Sequence, residues 1–119
     1  MELKHLIGNT PLVKLRHASP NPSVSIYGKM EGNNPAGSVK DRPALNMIQG
    51  ALKSGQIKPG DTLIEATSGN TGIALAMCAS IFNMRMILVM PESATEERKK
   101  SMRAYGADLI LTPSEKTIE

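Results

Sequence analysis

An open parallel α/β sheet with flanking helices is the fold this sequence predicts, and three observations predict it. From Thr62 onward, short apolar runs alternate with segments of helical period in the order strand, helix, strand, helix, strand. Connections of that length suit right-handed crossovers between parallel strands. Thr62-Leu63-Ile64-Glu65-Ala66 reads as a buried strand, and Met86 to Met90 is a continuous apolar one, as buried parallel strands are. The segment between them, Asn70 to Phe82, is apolar almost all round, which suits a helix covered on both sides.

Pro11 to Leu15 and Ser25 to Glu31 read as short strands around a loop rich in Ser, Pro and Asn. After Gly37 the period changes: Ala44, Leu45, Ile48, Ala51 and Leu52 recur at helical spacing, and Gly55 is a stop signal. Pro43 fixes where that helix starts. Its ring collides with the carbonyl four residues back, that of Val39, so the helix begins near Lys40 or Asp41. Pro59-Gly60-Asp61 marks the turn into Thr62 to Ala66. Ser93 and Glu96 have the spacing of a capping box for a helix ending near Gly106. Asp108 to Leu111 is the next strand, and Thr112 to Thr117 reads as the entry to a further helix. A parallel sheet wants helices on both faces, so the architecture reads as interrupted, with an open edge that invites pairing with other chains.

Composition narrows the function classes. A chain of 119 residues can bury one core, and with 40% apolar and 21% charged residues it is not a disordered one. Aromatics are scarce (Tyr27, Phe82 and Tyr105), so aliphatics and eight methionines must fill the interior. The net charge of +3 is small. Arg98-Lys99-Lys100-Arg103 lies beside Glu96 and Glu97 and reads as a solvated helix face, not a nucleic-acid patch. Cys78 is the only cysteine; its apolar surroundings mark it as a small buried hydrophobe, and alone it makes neither a disulfide nor a zinc cluster. His5 and His17 have no ligand-spaced partners and read as surface histidines, so no metal is expected. No stretch resembles a signal peptide or a membrane span, which makes the cytoplasm the expected compartment.

Two motifs carry chemistry. Lys40 lies in Asn33-Asn34-Pro35-Ala36-Gly37-Ser38-Val39-Lys40-Asp41-Arg42, at the start of a helix whose partial positive charge favours a neutral, nucleophilic amine by about 0.3–1 kcal/mol. Such an amine can form a Schiff base with an aldehyde cofactor. Thr67-Ser68-Gly69-Asn70-Thr71-Gly72 follows a strand and opens a helix, where an open parallel sheet binds its ligands. Gly69 and Gly72 let backbone approach closely, and the hydroxyls of Thr67, Ser68 and Thr71 add donors for a carboxylate. Taken singly, each motif also reads blandly, as a surface lysine at a helix start and as a helix entry capped by Ser or Thr.

Together with Ile7-Gly8-Asn9-Thr10-Pro11-Leu12 and Met102-Arg103-Ala104-Tyr105-Gly106-Ala107, the two motifs resemble the fold-type II pyridoxal phosphate enzymes, and among them the B subfamily of cysteine synthases (O-acetylserine sulfhydrylases). The likeness runs through nearly the whole chain. It implies pyridoxal 5'-phosphate held as a Schiff base on Lys40, the substrate carboxylate on Thr67, Ser68, Gly69, Asn70 and Thr71, and Asn70 hydrogen-bonded to the cofactor's phenolic oxygen. It further implies that O-acetyl-L-serine loses acetate and that sulfide, or thiosulfate in the B subfamily, adds at the β-carbon to give L-cysteine, with a homodimer as the working assembly. By the same likeness, residues 1–37 correspond to strands of the larger domain and 38–119 to the parallel α/β small domain, truncated before a glycine-rich phosphate loop. The chain is then expected to bind the cofactor weakly and to make no useful amount of cysteine alone. Alternatives are a truncated and inactive fragment, a β-eliminating relative such as cystathionine β-synthase or a threonine-type dehydratase, and a small α/β binding module without catalysis.

Overall fold

A computed structural model describes residues 1–114. A short 3-10 turn at Leu3–Leu6 leads into β1 (Leu12–Lys14), which pairs antiparallel with β2 (Tyr27–Lys29) as a two-stranded ribbon, Val13 opposite Gly28. Both strands are shorter than expected. Extension ends at Met30 because Glu31–Asn33 forms a second 3-10 turn, in which the Asn33 and Asn34 N–H groups donate back to Met30 and Glu31.

Helix α1 spans Asp41–Ser54, with Lys40 at its N-cap, as Pro43 requires: the first helical bond is Ala44 N–H to the Lys40 carbonyl, 3.1 Å. It stops at Gly55, whose φ of 78° is a left-handed conformation that glycine adopts without strain. The remaining elements are β3 (Thr62–Ala66), α2 (Asn70–Ile81), β4 (Arg85–Pro91), α3 (Glu96–Ala104) and β5 (Asp108–Thr112). The sheet is parallel in the order β3-β4-β5, with Leu63 beside Met86 and Leu88 beside Leu109.

That order explains the layering. When parallel strands are added always in one direction, crossovers of one hand put every helix on the same face. Accordingly α2 lies on β4, α3 lies on β5 and on α2, and α1 packs against α2 from outside. Helix α2 is therefore enclosed, and Ala74 to Ala79 are all buried. Its alanines let α1 and β4 come close, and the methionines Met77, Met84, Met86, Met90 and Met102 fill the irregular gaps left between them.

The opposite face of the sheet is bare among the described residues. Ile64, Ile87 and Val89, with Ile110 beside them, share that face by register; Ile64 is 65% exposed and Ile110 49%. Thr62 to Ala66 was expected as a buried strand. It is an edge strand with four of its five residues exposed, because α2 and α3 both lie on the other side. The capping expectation for α3 also needs correction. Thr95 is the N-cap, and its hydroxyl accepts from Arg98 N–H at 3.3 Å. Ser93 cannot serve, since it lies inside the turn closed by Ala94 N–H on the Pro91 carbonyl. The further helix expected from Thr112 does not begin there, because Thr112 ends β5; the rest of that expectation, beyond Ser114, lies outside the described residues.

The two faces predict opposite mutational behaviour. Leu88→Ala, on the covered face, should cost about 2–5 kcal/mol, whereas Ile64→Lys, on the bare face, should leave the urea unfolding free energy within about 0.5 kcal/mol. Sedimentation should find Ile64→Lys more monomeric than the parent chain. Equal destabilisation by both would mean that the bare face is packed in solution.

Candidate active site

The two predicted motifs come to lie at the starts of two helices that pack together. Lys40 is exposed at the N-cap of α1, and its backbone N–H donates to Ser38 Oγ at 3.1 Å. Asp41, next in sequence, is fully buried. Its Oδ2 accepts the Ala36 N–H at 2.7 Å, while Oδ1 has no hydrogen-bond partner. Burial raises the Asp41 carboxyl above its ordinary range, the Ala36 N–H opposes that shift, and the charge of Glu31 adds to it. Asp41 in turn helps burial to push the Cys78 thiol up to about 12, so Cys78 stays protonated and is no nucleophile.

Thr67 to Thr71 leave the C-terminal end of β3 and enter α2. Thr67 N–H is held by the Val89 carbonyl at 2.9 Å, which continues the ladder one residue past the strand. Gly69 is the N-cap of α2 and makes no side-chain cap, unlike Thr95 at α3. The first N–H groups of α2 are thus left to a ligand or to water. Asn70 is exposed, and Thr67, Ser68 and Thr71 are half-buried. The two glycines differ. A Cβ on Gly72 would stand 2.7 Å from Thr67 Cγ2 and 2.9 Å from Met102 Cε, so close approach does require glycine there. A Cβ on Gly69 would meet nothing within 4 Å; that position is open to an incoming group instead.

Arg98 was expected within a solvated face, and it does more than that. Its Nη1 donates to the Ser68 carbonyl at 3.2 Å, tying α3 to the loop. Between them lies a cavity of about 410 Å³ lined by Asn70, Ile73, Thr95, Glu97, Arg98 and Ser101. Lys99 departs from the expectation altogether: only 5% exposed, it donates to the Glu92 carbonyl and to Glu96 Oε1 and so fastens α3 to the end of β4. Arg98, Lys100 and Arg103 remain on the surface.

Sequence reasoning missed the polar cluster behind Lys40. Arg42 forms two parallel hydrogen bonds with Glu31, Nε to Oε2 and Nη2 to Oε1, both 2.9 Å. Thr10 Oγ1 donates to Glu31 at 2.6 Å and accepts from Arg42 at 3.1 Å. Asn34 donates to the Glu31 carboxylate at 2.9 Å and accepts the Gly8 N–H at 2.7 Å. Arg42, followed by Thr10, holds the Glu31 carboxyl down at about 2. The partners are up to 32 residues apart, and no local pattern announces them.

Residues 3–118 match the family described as pyridoxal-phosphate dependent enzyme. The chain belongs to that family. It is 61% identical to cysteine synthase B of Salmonella typhimurium over 98% of this chain and 39% of that protein. A solved cysteine synthase from Entamoeba histolytica superposes with a TM-score of 0.90 at 42% identity, covering 96% of this chain and 35% of that one. A hydrogen sulfide-producing enzyme from Fusobacterium nucleatum gives 0.89 at 49% identity, covering 94% and 37%. The chain therefore spans well under half the length of these relatives.

The residues present fit the family's cofactor: an exposed lysine at a helix start, an uncapped helix entry, and open space at Gly69. Gly72→Ala should push Thr67 out of place and cost roughly 1–3 kcal/mol by overpacking. Gly50→Ala, in α1 with nothing within 4 Å of the added Cβ, should instead stabilise by about 0.5–1 kcal/mol. Urea unfolding of the two variants checks the pair, and a harmless Gly72→Ala would remove the close approach between loop and helix.

Proposed function

We propose that this chain carries the lysine and the substrate loop of a cysteine synthase, with Lys40 as the residue that holds pyridoxal 5'-phosphate. The observation that supports this most directly is the 61% identity to cysteine synthase B over 117 residues, a span that includes both the Lys40 segment and Thr67 to Thr71. The cofactor, when bound, supplies the electron sink that lets an amino acid lose its α-proton. The chain's own residues do the rest. The Lys40 amine, once freed by the incoming substrate, takes the α-proton. The first N–H groups of α2, with the hydroxyls of Thr67, Ser68 and Thr71, bind the substrate carboxylate, and the Asn70 side chain orients the cofactor ring.

In the whole protein this reading gives L-cysteine from O-acetyl-L-serine and sulfide, or thiosulfate, by β-elimination and β-replacement. A cytoplasmic homodimer is the proposed setting, with the ribbon of residues 1–37 belonging to the larger domain and 38–119 to the smaller one. Among the described residues no helix is long and apolar enough to cross a membrane.

Peptide mapping after treatment with pyridoxal phosphate and borohydride tests the assignment. The label should fall on Lys40 in preference to Lys29, whose Nζ is engaged by the Thr10 carbonyl at 2.7 Å, and to the exposed Lys53. Labelling spread evenly over the exposed lysines would remove Lys40 from the role.

A further inference from the structure

The N-cap and first two residues of α1 have different fates: Lys40 exposed, Asp41 buried and Arg42 half-buried in an ion pair. At about 100° per residue, side chains two apart on a helix point to nearly opposite sides. Whatever fixes the direction of Arg42 therefore also fixes that of Lys40. Two segments, 8–10 and 31–34, converge on Arg42. Glu31 takes both ends of its guanidinium fork, Thr10 adds a third bond, and Asn34 links Glu31 to the Gly8 N–H. Gly8, at φ +83°, passes so close that a Cβ there would stand 2.9 Å from Arg42 Nη1. The Ala36 N–H on Asp41 pins the other side of the same turn.

None of these contacts belongs to the apolar core, which meets α1 through Ala44 and Ile48. The core holds the helix against α2, and the polar cluster sets the rotation of its first turn. A planar fork bound at both ends resists twisting, which a single ammonium bond does not.

From this geometry we propose that Glu31, acting through Arg42, is a positioning residue for Lys40: the bidentate pair sets the direction in which α1 presents the lysine amine. The inference rests on the reading of Lys40 as the cofactor lysine.

The test uses the full chain and pyridoxal phosphate. Condensation of the Lys40 amine with the aldehyde releases water, and borohydride then delivers hydride to the C=N bond to leave a stable secondary amine. The quantity read is the initial labelling rate of Lys40 divided by that of Lys53, at several pH values. Glu31→Gln and Arg42→Met should each lower the ratio about tenfold, less than the roughly hundredfold that misplacing a reacting group by an ångström can cost. Arg42→Lys, which keeps the charge but not the fork, should not restore it, while the exchange Glu31→Arg with Arg42→Glu should restore part of it. Leu88→Val provides a core-destabilised control whose ratio should stay at the parent value. An unchanged ratio in Glu31→Gln and Arg42→Met overturns the inference while leaving the Lys40 assignment intact. A parent ratio near one overturns the assignment and the inference with it. A ratio that falls equally in Leu88→Val shows loss of stability, not of positioning, and also overturns the inference.

Discussion

The Arg42–Glu31 pair is the interaction on which the arrangement of this chain depends, because it ties the ribbon and the Glu31–Asn33 turn to α1, while the first turn, Leu3–Leu6, rests on α2. Two parallel hydrogen bonds between a planar cation and a carboxylate constrain direction as well as distance. Through Thr10 and Asn34 the same carboxylate reaches β1 and the glycine at position 8. Without it, the ribbon and the 3-10 turn at Glu31–Asn33 would have few ties to α1. The pair is partly open to water, so its worth lies less in raw attraction than in the register it imposes.

A second constraint comes from topology. Strands added in one direction gather α2 and α3 on one face, and α1 closes over them. This encloses α2 and places the uncapped entry of that helix beyond the end of β3, where Asn70 is exposed and α3 reaches the Ser68 carbonyl through Arg98. The same rule leaves Ile64, Ile87, Val89 and Ile110 facing outward. One geometric fact thus produces both the accessible loop and the bare sheet.

Much of this was legible in the residues themselves. Pro43 located the start of α1, the apolar run from Asn70 located α2 and foretold its enclosure, and Gly55 and Gly106 marked helix ends. The loop from Thr67 to Thr71 stands where its place after a strand put it. Other features depended on distant parts of the chain. Thr62 to Ala66 has the composition of a buried strand, but composition cannot say which elements will cover it. Ser93 matched a capping box on spacing alone, and the turn at Pro91 to Ala94 gave the role to Thr95. Lys99 looked like one charge among several until the fold turned its amine onto the Glu92 carbonyl. The cluster at Arg42 joins residues from three segments, and only the folded chain brings them together.

The central claim is that Glu31 is held ionised in the folded chain by Arg42 and that the folded state depends on this. Its most direct test is the pH dependence of unfolding in the parent chain and in Glu31→Gln. The folded carboxyl titrates at about 2 and the unfolded one near its ordinary value of 4.5. Its contribution is therefore fully present above about pH 4.5 and is lost as the pH falls toward 2. Asp41, whose carboxyl is shifted the other way chiefly by burial, is present in both proteins, so the difference between them reports Glu31 together with its smaller influence on Asp41. The account predicts that the parent is the more stable of the two at pH 6 and that the gap closes between pH 4.5 and 2. A gap independent of pH across that range, or no gap at pH 6, would contradict it.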